Sequence, residues 1–350
     1  EPGHAVGVAE KLRELIESVP DMFAGQAQQK DIEVGCYIAP ALQTTAYGDP
    51  TRLRQVLVNL VGNGVKFTGS GYVWIDVRAP DDDSGQIQIS VQDTGPGIDQ
   101  ESKQAIFQKF RQADMSVTRR YGGSGLGLTI TKSLVSLMGG KIGLSSQPGR
   151  GSLFWLSIPM KLDLPYKDDP DLGATAARIA IDAENVALRN TLGRYVRDWG
   201  SKPHKTEHGQ YQGYDVVLID ISHAVGWEAM VESHPRVRFI LIYPLDGDSP
   251  SRDRFLNVTA CLSKPVRAKW LKRALVDAVH KSGAAPDVGD GLPDSHATGS
   301  RPEPAREQAE SERDPALRPN GTAPASGAVE VTPEPVGEEL QVVGGDSAAA

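Results

Sequence analysis

The apolar and polar positions of this chain follow several periodicities, each covering its own stretch of sequence. Apolar residues recur at helical spacing near the start, and helical repeats then alternate with strand-like runs. Short continuous apolar runs follow, and the C-terminal stretch is rich in Pro, Ala, Gly, Glu and Ser. These changes predict a lead-in segment at residues 1–35, a first domain at 36–162, a linker at 163–174, a second domain at 175–281 and a disordered tail or linker at 282–350.

A helix start signal lies near the beginning of the first domain. Asp49 and Pro50 place an N-cap residue before a proline at the first helical position. Apolar residues follow at i, i+3 and i+4 spacing, namely Leu53, Val56, Leu57, Leu60 and Val61. The pattern predicts a long amphipathic helix.

Alternating runs follow this helix. Residues 71–79 and 86–92 each alternate apolar and polar positions around a turn signal, which predicts an antiparallel hairpin. A further helix over 125–138, ended by two glycines, precedes two more strands at 141–145 and 152–158. Helices against one face of a mixed, mainly antiparallel sheet form an α+β two-layer sandwich, and this is the fold class we expect.

The second domain has a different pattern. Short apolar runs at residues 178–181, 214–219 and 238–242 are separated by stretches with helical spacing. Continuous apolar runs are typical of strands buried on both faces of a parallel sheet. The sequence therefore predicts an α/β doubly wound domain.

The composition of the chain argues against several classes of function. The 350 residues carry a net charge of -8 without a basic cluster, so nucleic-acid binding is not expected. Cys36 and Cys261 lie far apart and in no Cys/His grouping, which argues against a disulfide framework or a zinc site. No uninterrupted apolar stretch reaches roughly 18 residues, and no signal segment opens the chain. We therefore expect a cytoplasmic chain without direct membrane contact.

Polar residues form a stripe on the first long helix. Asn59, Asn63 and Lys66 lie at i, i+4 and i+7, beside the apolar stripe. A solvated helix edge would explain any one of them. Two amides and an ammonium also suit phosphate chemistry, because an amide oxygen can bind Mg²⁺ and N–H donors can bind phosphate oxygens.

Asp93 ends the second alternating strand. It continues the inward register of Ile87, Ile89 and Val91, so a carboxylate lies at the end of an apolar face. A buried carboxylate needs a hydrogen-bond donor. Asp93 could cap the turn that follows it, or it could accept from a ligand.

Glycines flank a long polar stretch. Residues 97–124 are long and polar enough for a functional lid. The glycine-rich run at 122–128 precedes a helix, where glycine backbone and free N–H groups can approach phosphate. This run matches neither the P-loop nor the dinucleotide fingerprint. We expect Phe107 and Phe110 to pack the lid against the body of the domain.

Four of these segments resemble, in order and spacing, the N box, first glycine box, F box and second glycine box of the histidine kinase ATP-binding domain. They are residues 59–68, 93–98, 107–110 and 122–128. The resemblance covers roughly the first half of the chain. It implies the ATP-binding fold shared with gyrase-type and chaperone-type ATPases, with ATP and Mg²⁺ as the bound groups.

The resemblance also implies roles for single residues. Asn63 corresponds to the Mg²⁺ ligand, Lys66 to a phosphate contact and Asp93 to the acceptor of the adenine amine. Ser152, after Gly151, resembles the family's last short motif behind adenine. The implied ATP-binding set is Asn59, Asn63, Lys66, Asp93, Gly95, Gly97, Gly123, Gly125, Leu126, Gly127 and Ser152.

Two helix positions are informative within this resemblance. Gly64 stands where the family usually has Ala, which is expected to loosen the helix by up to about 1 kcal/mol. ATP-hydrolysing members place a Glu four residues before the Mg²⁺ asparagine to activate water, and this chain has Asn59 there. An amide cannot serve as a general base, so transfer to an external nucleophile is favoured over hydrolysis.

The histidine that would accept the phosphoryl group is missing. Kinases of this family present it in a His-Glu/Asp-x-Arg-Thr/Asn-Pro segment on an N-terminal helical hairpin, and none of the seven histidines has that context. The resemblance therefore implies no catalytic residue in this chain and a histidine-bearing dimerisation hairpin as partner. An excised fragment is favoured over a natural partial kinase, since the chain opens at Glu1 without a Met.

Residues 178–282 resemble a response-regulator receiver domain with partly eroded motifs. Asp220 stands where the phosphoacceptor aspartate would end a strand, and Lys264 with Pro265 matches the family's lysine and proline.

Two departures weaken this second resemblance. The acidic pair that holds Mg²⁺ falls on Ala183 and Glu184, which leaves one carboxylate. Tyr243 stands in place of a small hydroxyl residue. A degenerate receiver used for docking or dimerisation is favoured over a working phosphoacceptor.

Together the resemblances imply the C-terminal portion of a hybrid sensor histidine kinase in a two-component phosphorelay. The expected partners are a response regulator or phosphotransfer domain, and the parent protein is expected to be a homodimer, with an anchor in the bacterial inner membrane as one option. Two alternatives stay open: a non-catalytic, ATP-binding regulatory partner of another kinase, and a gyrase-type or chaperone-type ATPase.

Overall fold

The computed structural model describes residues 8–42, 45–79, 85–107, 127–162, 172, 177–222, 224–245, 247, 249–251 and 254–283. The tail predicted to be disordered lies outside these residues from position 284 onward, as does most of the predicted linker.

The described residues of the first half of the chain form two sheets and four α-helices. The helices are α1 (Leu12–Gln29), α2 (Pro50–Phe67), α3 (Gln100–Ala105) and α4 (Gly127–Leu137). The strands are β1 (Val8–Lys11), β2 (Ile32–Ile38), β3 (Thr45–Gly48), β4 (Gly71–Arg78), β5 (Gln86–Asp93), β6 (Lys141–Gln147), β7 (Gly151–Pro159) and β8 (Lys161–Leu162). The main sheet has the order β2-β4-β5-β7-β6, and β1, β3 and β8 form a small second sheet.

The main sheet is mixed, as predicted. β2 pairs with β4 in parallel, whereas the β4-β5, β5-β7 and β6-β7 pairs are antiparallel. Apolar residues of α1, α2 and α4 share one core with the sheet. The predicted α+β two-layer arrangement is therefore confirmed.

The predicted start of α2 is also confirmed. The carboxylate of Asp49 accepts a hydrogen bond from the backbone N–H of Arg52, and Pro50 occupies the first turn. The side chains of Leu53, Val56 and Leu57 are buried on the face toward the sheet. The amphipathic pattern thus fixes which face of α2 remains available for polar residues.

The described residues of 8–162 together are named the first layer. The segment predicted as a lead-in belongs to this first layer. Its helix is longer than its apolar repeat suggested, and Leu15, Ile16 and Val19 of α1 are buried in the shared core. Strand β2 begins at Ile32 and forms the edge of the main sheet, so the predicted boundary at residue 36 falls inside a strand.

The described residues of 177–283 are named the second layer, and their strands form one parallel sheet. Its strands are β9 (Ile179–Asp182), β10 (Pro203–Lys205), β11 (Val216–Asp220), β12 (Arg238–Tyr243) and β13 (Val258–Ser263), and its helices are α5 (Val186–Asp198), α6 (Trp227–Ser233) and α7 (Ala268–Ser282). The strand order is β10-β9-β11-β12-β13, and every pair is parallel. One apolar cluster includes residues of α5 and α7, and another includes α6. Helices therefore cover both faces, which is a doubly wound arrangement.

The alternation of strands and helices is incomplete. Residues 206–215, between β10 and β11, contain no helix, and the described residues between β12 and β13 contain no α-helix. Helices α5 and α6 lie between the three apolar runs identified in the sequence, so the helical stretches predicted between those runs are present. Over the part of the chain that the structure describes, no helix combines the length and apolar character needed to cross a membrane.

Candidate functional site

Asn59 joins helices α2 and α4. Its side-chain Nδ2 donates to the Thr131 hydroxyl on α4 over 2.8 Å, and Thr131 is buried. A Cβ atom added to Gly127 would lie 2.5 Å from the Asn59 Oδ1, so only glycine allows this approach. Asn59 therefore fixes the first turns of α4 against α2. The sequence analysis missed Thr131, which gave no signal beyond its place on the helix.

Asn63 and Lys66 lie further along the same face of α2. Both are half-buried. The C-terminal end of α2 is anchored by Lys30, the residue that follows α1. The Lys30 ammonium donates to the carbonyl oxygens of Val65 and Lys66 at 2.7 and 2.8 Å. The polar stripe therefore sits on a helix whose end is anchored to its neighbour.

Asp93 is buried at the end of β5, with 9% of its surface exposed. Its Oδ1 accepts from the backbone N–H of Gly95 over 2.9 Å. Burial raises the pKa of the Asp93 carboxyl, and hydrogen bonds from Gly95 and Ser152 partly oppose this rise. The turn cap considered in the sequence analysis is therefore present. A carboxylate has about four acceptor positions, so this cap leaves capacity for a ligand donor.

An unpaired hydroxyl lies close to Asp93. Thr68, just after α2, is 1% exposed, and its Oγ1 has no hydrogen-bond partner among the described residues. A Cβ atom on Gly95 would lie 3.4 Å from this oxygen and 2.9 Å from the Asp93 Oδ1. Buried polar groups in native proteins are nearly always paired. The neighbouring hydroxyl and carboxylate therefore suit a ligand edge that carries both a donor and an acceptor.

Ser146 ties the glycine turn after β5 to the strands behind it. Its hydroxyl accepts from the Ile98 N–H and donates to the Gly151 carbonyl, each over 2.8 Å. Gly97 has a φ of +72°, and a Cβ there would lie 2.0 Å from the Gln147 carbonyl oxygen. The predicted residues Gly95 and Ser152 thus contact Asp93, and Gly97 lies against the turn that follows β6. No local pattern in the sequence distinguishes Ser146 from its neighbours.

Several predicted residues fall outside the described part of the chain. These are Gly123, Gly125, Leu126 and Phe110. Gly127 begins α4, and Phe107 is buried edge-to-face against Phe154 with ring centroids 6.5 Å apart. The ring of Phe107 lies in the core of the first layer, and its role in packing the lid stays a prediction.

The second sheet has its own polar site at the carboxyl ends of its strands. Asp220 accepts from the Lys264 ammonium over 2.7 Å and from the Ser222 hydroxyl over 2.6 Å. Glu184, predicted as its acidic companion, is exposed. The carboxylate that ends the neighbouring strand β9 is instead Asp182.

Asp182 is already engaged by other side chains. It accepts from the buried Tyr211 hydroxyl and lies 2.7 Å from the His208 Nδ1. Burial, followed by the hydrogen bond to Asp182, raises the pKa of Tyr211. Among the described residues, no group of three or more His, Cys, Asp or Glu side chains could hold a metal ion. The acid at the end of β9 thus lies two positions before Glu184, and the role predicted for Glu184 beside Asp220 stays a prediction.

Comparison with known proteins gives this geometry a context. Residues 48–162 match the family described as histidine kinase-, DNA gyrase B-, and HSP90-like ATPase. The chain is 42% identical over 154 residues to signal transduction histidine-protein kinase BarA of Escherichia coli K12, covering 43% of this chain and 17% of that protein. It is 32% identical over 284 residues to sensor histidine kinase AruS of Pseudomonas aeruginosa, covering 75% of this chain and 28% of that protein.

A solved structure resembles both layers. The crystal structure of full-length ShkA in complex with AMPPNP superimposes with a TM-score of 0.66 and 27% identity, over 80% of this chain and 58% of that chain. This chain spans less than a third of the length of the two curated relatives. Residues 48–162 therefore match a histidine kinase-, DNA gyrase B- and HSP90-like ATPase domain, and the chain is similar to proteins named as histidine kinases.

Proposed function

We propose that this chain is the ATP-binding portion of a sensor histidine kinase in a two-component phosphorelay. It binds Mg²⁺-ATP and presents the γ-phosphoryl group to a histidine on a dimerisation hairpin of the parent protein. The observation that carries the proposal is the buried Asp93 carboxylate beside the Thr68 hydroxyl, which has no hydrogen-bond partner among the described residues. Both lie near the end of the helix that bears Asn59 and Asn63.

Base recognition follows from the chemistry of this pair. The Asp93 carboxylate accepts hydrogen bonds, and the exocyclic amine of adenine donates them. Guanine presents a carbonyl at the corresponding position, so two acceptors would face each other and GTP would be rejected. The Thr68 hydroxyl can both donate and accept, which suits a ring nitrogen of the base.

Asn63 is the residue that would hold Mg²⁺. One neutral amide oxygen is a weak site for this ion, which usually keeps several waters and relies on substrate phosphates as further ligands. Lys66 would contact the same phosphates. The bound metal would neutralise phosphate charge during transfer. The remaining implied phosphate contacts, Gly123, Gly125 and Leu126, belong to the residues that are not described.

Asn59 favours phosphotransfer over hydrolysis. Its amide is committed to Thr131 and has no basic lone pair with which to activate a water. A gyrase-type or chaperone-type ATPase would need a carboxylate here. The other alternative, a non-catalytic ATP-binding regulatory partner of another kinase, shares the pocket and differs only in whether a histidine partner is phosphorylated.

A labelling experiment tests the proposal. The chain alone is expected neither to incorporate label from γ-labelled ATP nor to hydrolyse ATP appreciably, because it lacks both the phosphoacceptor histidine and a general base. Adding the dimerisation hairpin of the parent protein in trans should produce acid-labile label on histidine. Robust hydrolysis by the chain alone would support the ATPase alternative, and ATP binding without label on the hairpin would support the regulatory one.

We further propose that the parallel second sheet is a degenerate receiver domain. Its strand order and the Asp220–Lys264 pair support this assignment, and the engagement of Asp182 by Tyr211 supports the loss of metal binding. The parent protein would act with a response regulator or phosphotransfer domain, as a cytoplasmic homodimeric module. An anchor in the bacterial inner membrane would belong to the parent.

Asp220 is expected to remain unmodified by acetyl phosphate and Mg²⁺. A receiver aspartate accepts a phosphoryl group only with a metal beside it, because the metal offsets the repulsion between carboxylate and phosphate. Ala183 supplies no carboxylate, and Tyr243 is too bulky for the usual hydroxyl response. Mass spectrometry after acetyl phosphate treatment and NMR with beryllofluoride are the measurements. Stoichiometric modification of Asp220 would identify a working phosphoacceptor.

A further inference from the structure

The turn between β13 and α7, residues 264–268, is bounded on one side by the first layer. The Lys264 ammonium lies 2.8 Å from the Glu33 carboxylate of β2 and 2.7 Å from Asp220. Arg267 forms an ion pair with Asp21 of α1. Three carboxylates, two of the first layer and one of the second, therefore meet the two basic side chains of one short turn.

A third acid of the first layer meets the start of α7. The N-cap residue of α7 is Arg267, which makes no side-chain capping bond. The Glu17 carboxylate of α1 instead accepts from the buried backbone N–H of Ala268 over 3.2 Å. An anion at a helix N-terminus pairs with free N–H groups and with the helix dipole. The first layer thus provides the cap that the second layer lacks.

The charges at this turn are poorly exposed. The side chains of Lys264 and Glu33 are each 12% exposed, and that of Asp220 is 4% exposed. Burial alone would lower the pKa of Lys264, but the Glu33 and Asp220 carboxylates outweigh it and the pKa is raised. A buried ammonium of this kind depends on its acidic partners, since an unpaired buried charge is costly.

Apolar packing accompanies these charges. Tyr37 and Trp74 of the first layer lie in the same buried cluster as Tyr195 of α5 and Trp199, which follows α5. The Tyr195 hydroxyl also accepts from the backbone N–H of Ile38 over 3.0 Å. The described residues fall in one compact unit. Packing alone could hold the layers together, so the charges need a test that separates the two contributions.

We propose that residues 264–268 form a docking turn that the acids Glu17, Asp21 and Glu33 of the first layer recognise, with Lys264 as a counter-ion shared by Asp220 and Glu33. Asp220 then supports docking within the chain. Whatever changes the charge at Asp220 also changes how firmly the turn is held. The proposal rests on these contacts and does not depend on nucleotide binding.

The linkage extends toward the nucleotide pocket through α1. The same helix that carries Glu17 and Asp21 packs against α2, where a Cβ on Gly62 would lie 3.2 Å from the Phe23 ring. The Lys30 ammonium, which follows α1, holds the end of α2. Helix α1, which contacts the docking turn, therefore also packs against the helix that carries the polar stripe.

A double-mutant cycle in the full chain tests the shared counter-ion. Glu33→Gln and Asp220→Asn each leave Lys264 with one carboxylate, and we expect amide hydrogen exchange over residues 264–268 to rise by about threefold or less in each. The double variant removes both carboxylates from the buried Lys264 ammonium. Amide hydrogen exchange over residues 264–268 should then rise by at least roughly tenfold, which is more than the product of the two single effects. Glu232→Gln, an exposed acid on α6, is the matched control.

A rescue variant separates charge from packing. Adding Lys264→Met to the double variant removes the stranded ammonium and should restore slow exchange at residues 264–268, because an apolar group of similar volume needs no counter-ion. Additive effects in the cycle, or unchanged exchange in all the variants, would show that apolar packing alone holds the turn. Failure of the triple variant to recover would likewise overturn the shared counter-ion.

Discussion

Replacing Asp93 with Ala is expected to lower the affinity for Mg²⁺-ATP by roughly 10- to 100-fold. A hydrogen bond from a neutral donor to a buried carboxylate contributes about 1.5–3 kcal/mol, and the variant removes the only carboxylate at the end of β5. The wild-type chain should bind ATP and not detectably bind GTP, since Asp93 offers only acceptors to the base. Isothermal titration calorimetry with both nucleotides provides the measurement.

The control for this substitution lies on the same strand. Gln92 is exposed and points away from Asp93, so Gln92→Ala should leave the ATP affinity unchanged. Equal affinity of the wild-type chain for ATP and GTP would contradict the assignment of Asp93 to the base. Undiminished ATP binding by Asp93→Ala would contradict it as well, and would return Asp93 to the role of a turn cap.

Asp93 also predicts a pH dependence of stability without nucleotide. Its pKa is raised from the ordinary value of 3.8, chiefly by burial, so the folded chain binds this proton more tightly than the unfolded chain. The contribution of Asp93 to the free energy of unfolding is therefore fully present below the ordinary value. This contribution to the free energy of unfolding declines as the pH rises through the raised pKa of Asp93 in the folded chain. The difference in unfolding free energy between wild type and Asp93→Ala should fall across this window in urea titrations.

The parts of the structure that the sequence predicted are those specified by local patterns. The cap and the first turn of α2 were predictable because Asp49 and Pro50 are adjacent in sequence to the turn they start. The burial of Asp93 was predictable because a strand alternates with a period of two, and three apolar residues precede it in register. Periodicity therefore located both the helix stripe and the buried carboxylate of the candidate site.

The residues that the sequence analysis missed act across long sequence separations. Thr131 contacts Asn59 from a different helix, and Ser146 joins a turn and a strand that only the fold brings together. Thr68 has no local feature that distinguishes it from a surface threonine. Glu33 became informative only when Glu33 of β2 and Asp220 of β11 were found to share the Lys264 ammonium. Such contacts depend on tertiary structure, which no local pattern encodes.

Gly64 shows how tertiary packing changes the meaning of a local preference. Taken as a helix residue, it is expected to cost stability relative to Ala. In the folded chain, a Cβ at Gly64 would lie 2.8 Å from the Val73 side chain of β4. The glycine therefore allows α2 to lie close to the sheet just before the Asp93 side chain, whose Cβ is 3.6 Å from the same point. The local cost accompanies a close approach that positions the pocket.

Gly151 sits directly behind this pocket, and Gly151→Ala is expected to lower the free energy of unfolding by about 3–5 kcal/mol. Its φ of +87° is strained for any residue with a Cβ, which accounts for about 1–2 kcal/mol. The new Cβ would also lie 2.0 Å from the Asp93 carbonyl oxygen. That oxygen belongs to backbone fixed by the antiparallel pairing of β5 with β7, so it cannot easily move aside, and overpacking adds further cost.

Gly149→Ala is the matched control for this substitution. Gly149 has a similar φ of +75°, yet a Cβ there would meet nothing within 4 Å. Gly149→Ala should therefore lower the free energy of unfolding only by the backbone strain of about 1–2 kcal/mol, and it should leave the ATP affinity unchanged. Gly151→Ala, in contrast, should also weaken ATP binding, because relief of the clash moves the end of β5 and its carboxylate. Urea unfolding of both variants with equal m values, followed by calorimetry, separates strain from collision. Equal losses of stability in the two variants would show that the contact between Gly151 and the Asp93 backbone does not constrain the pocket.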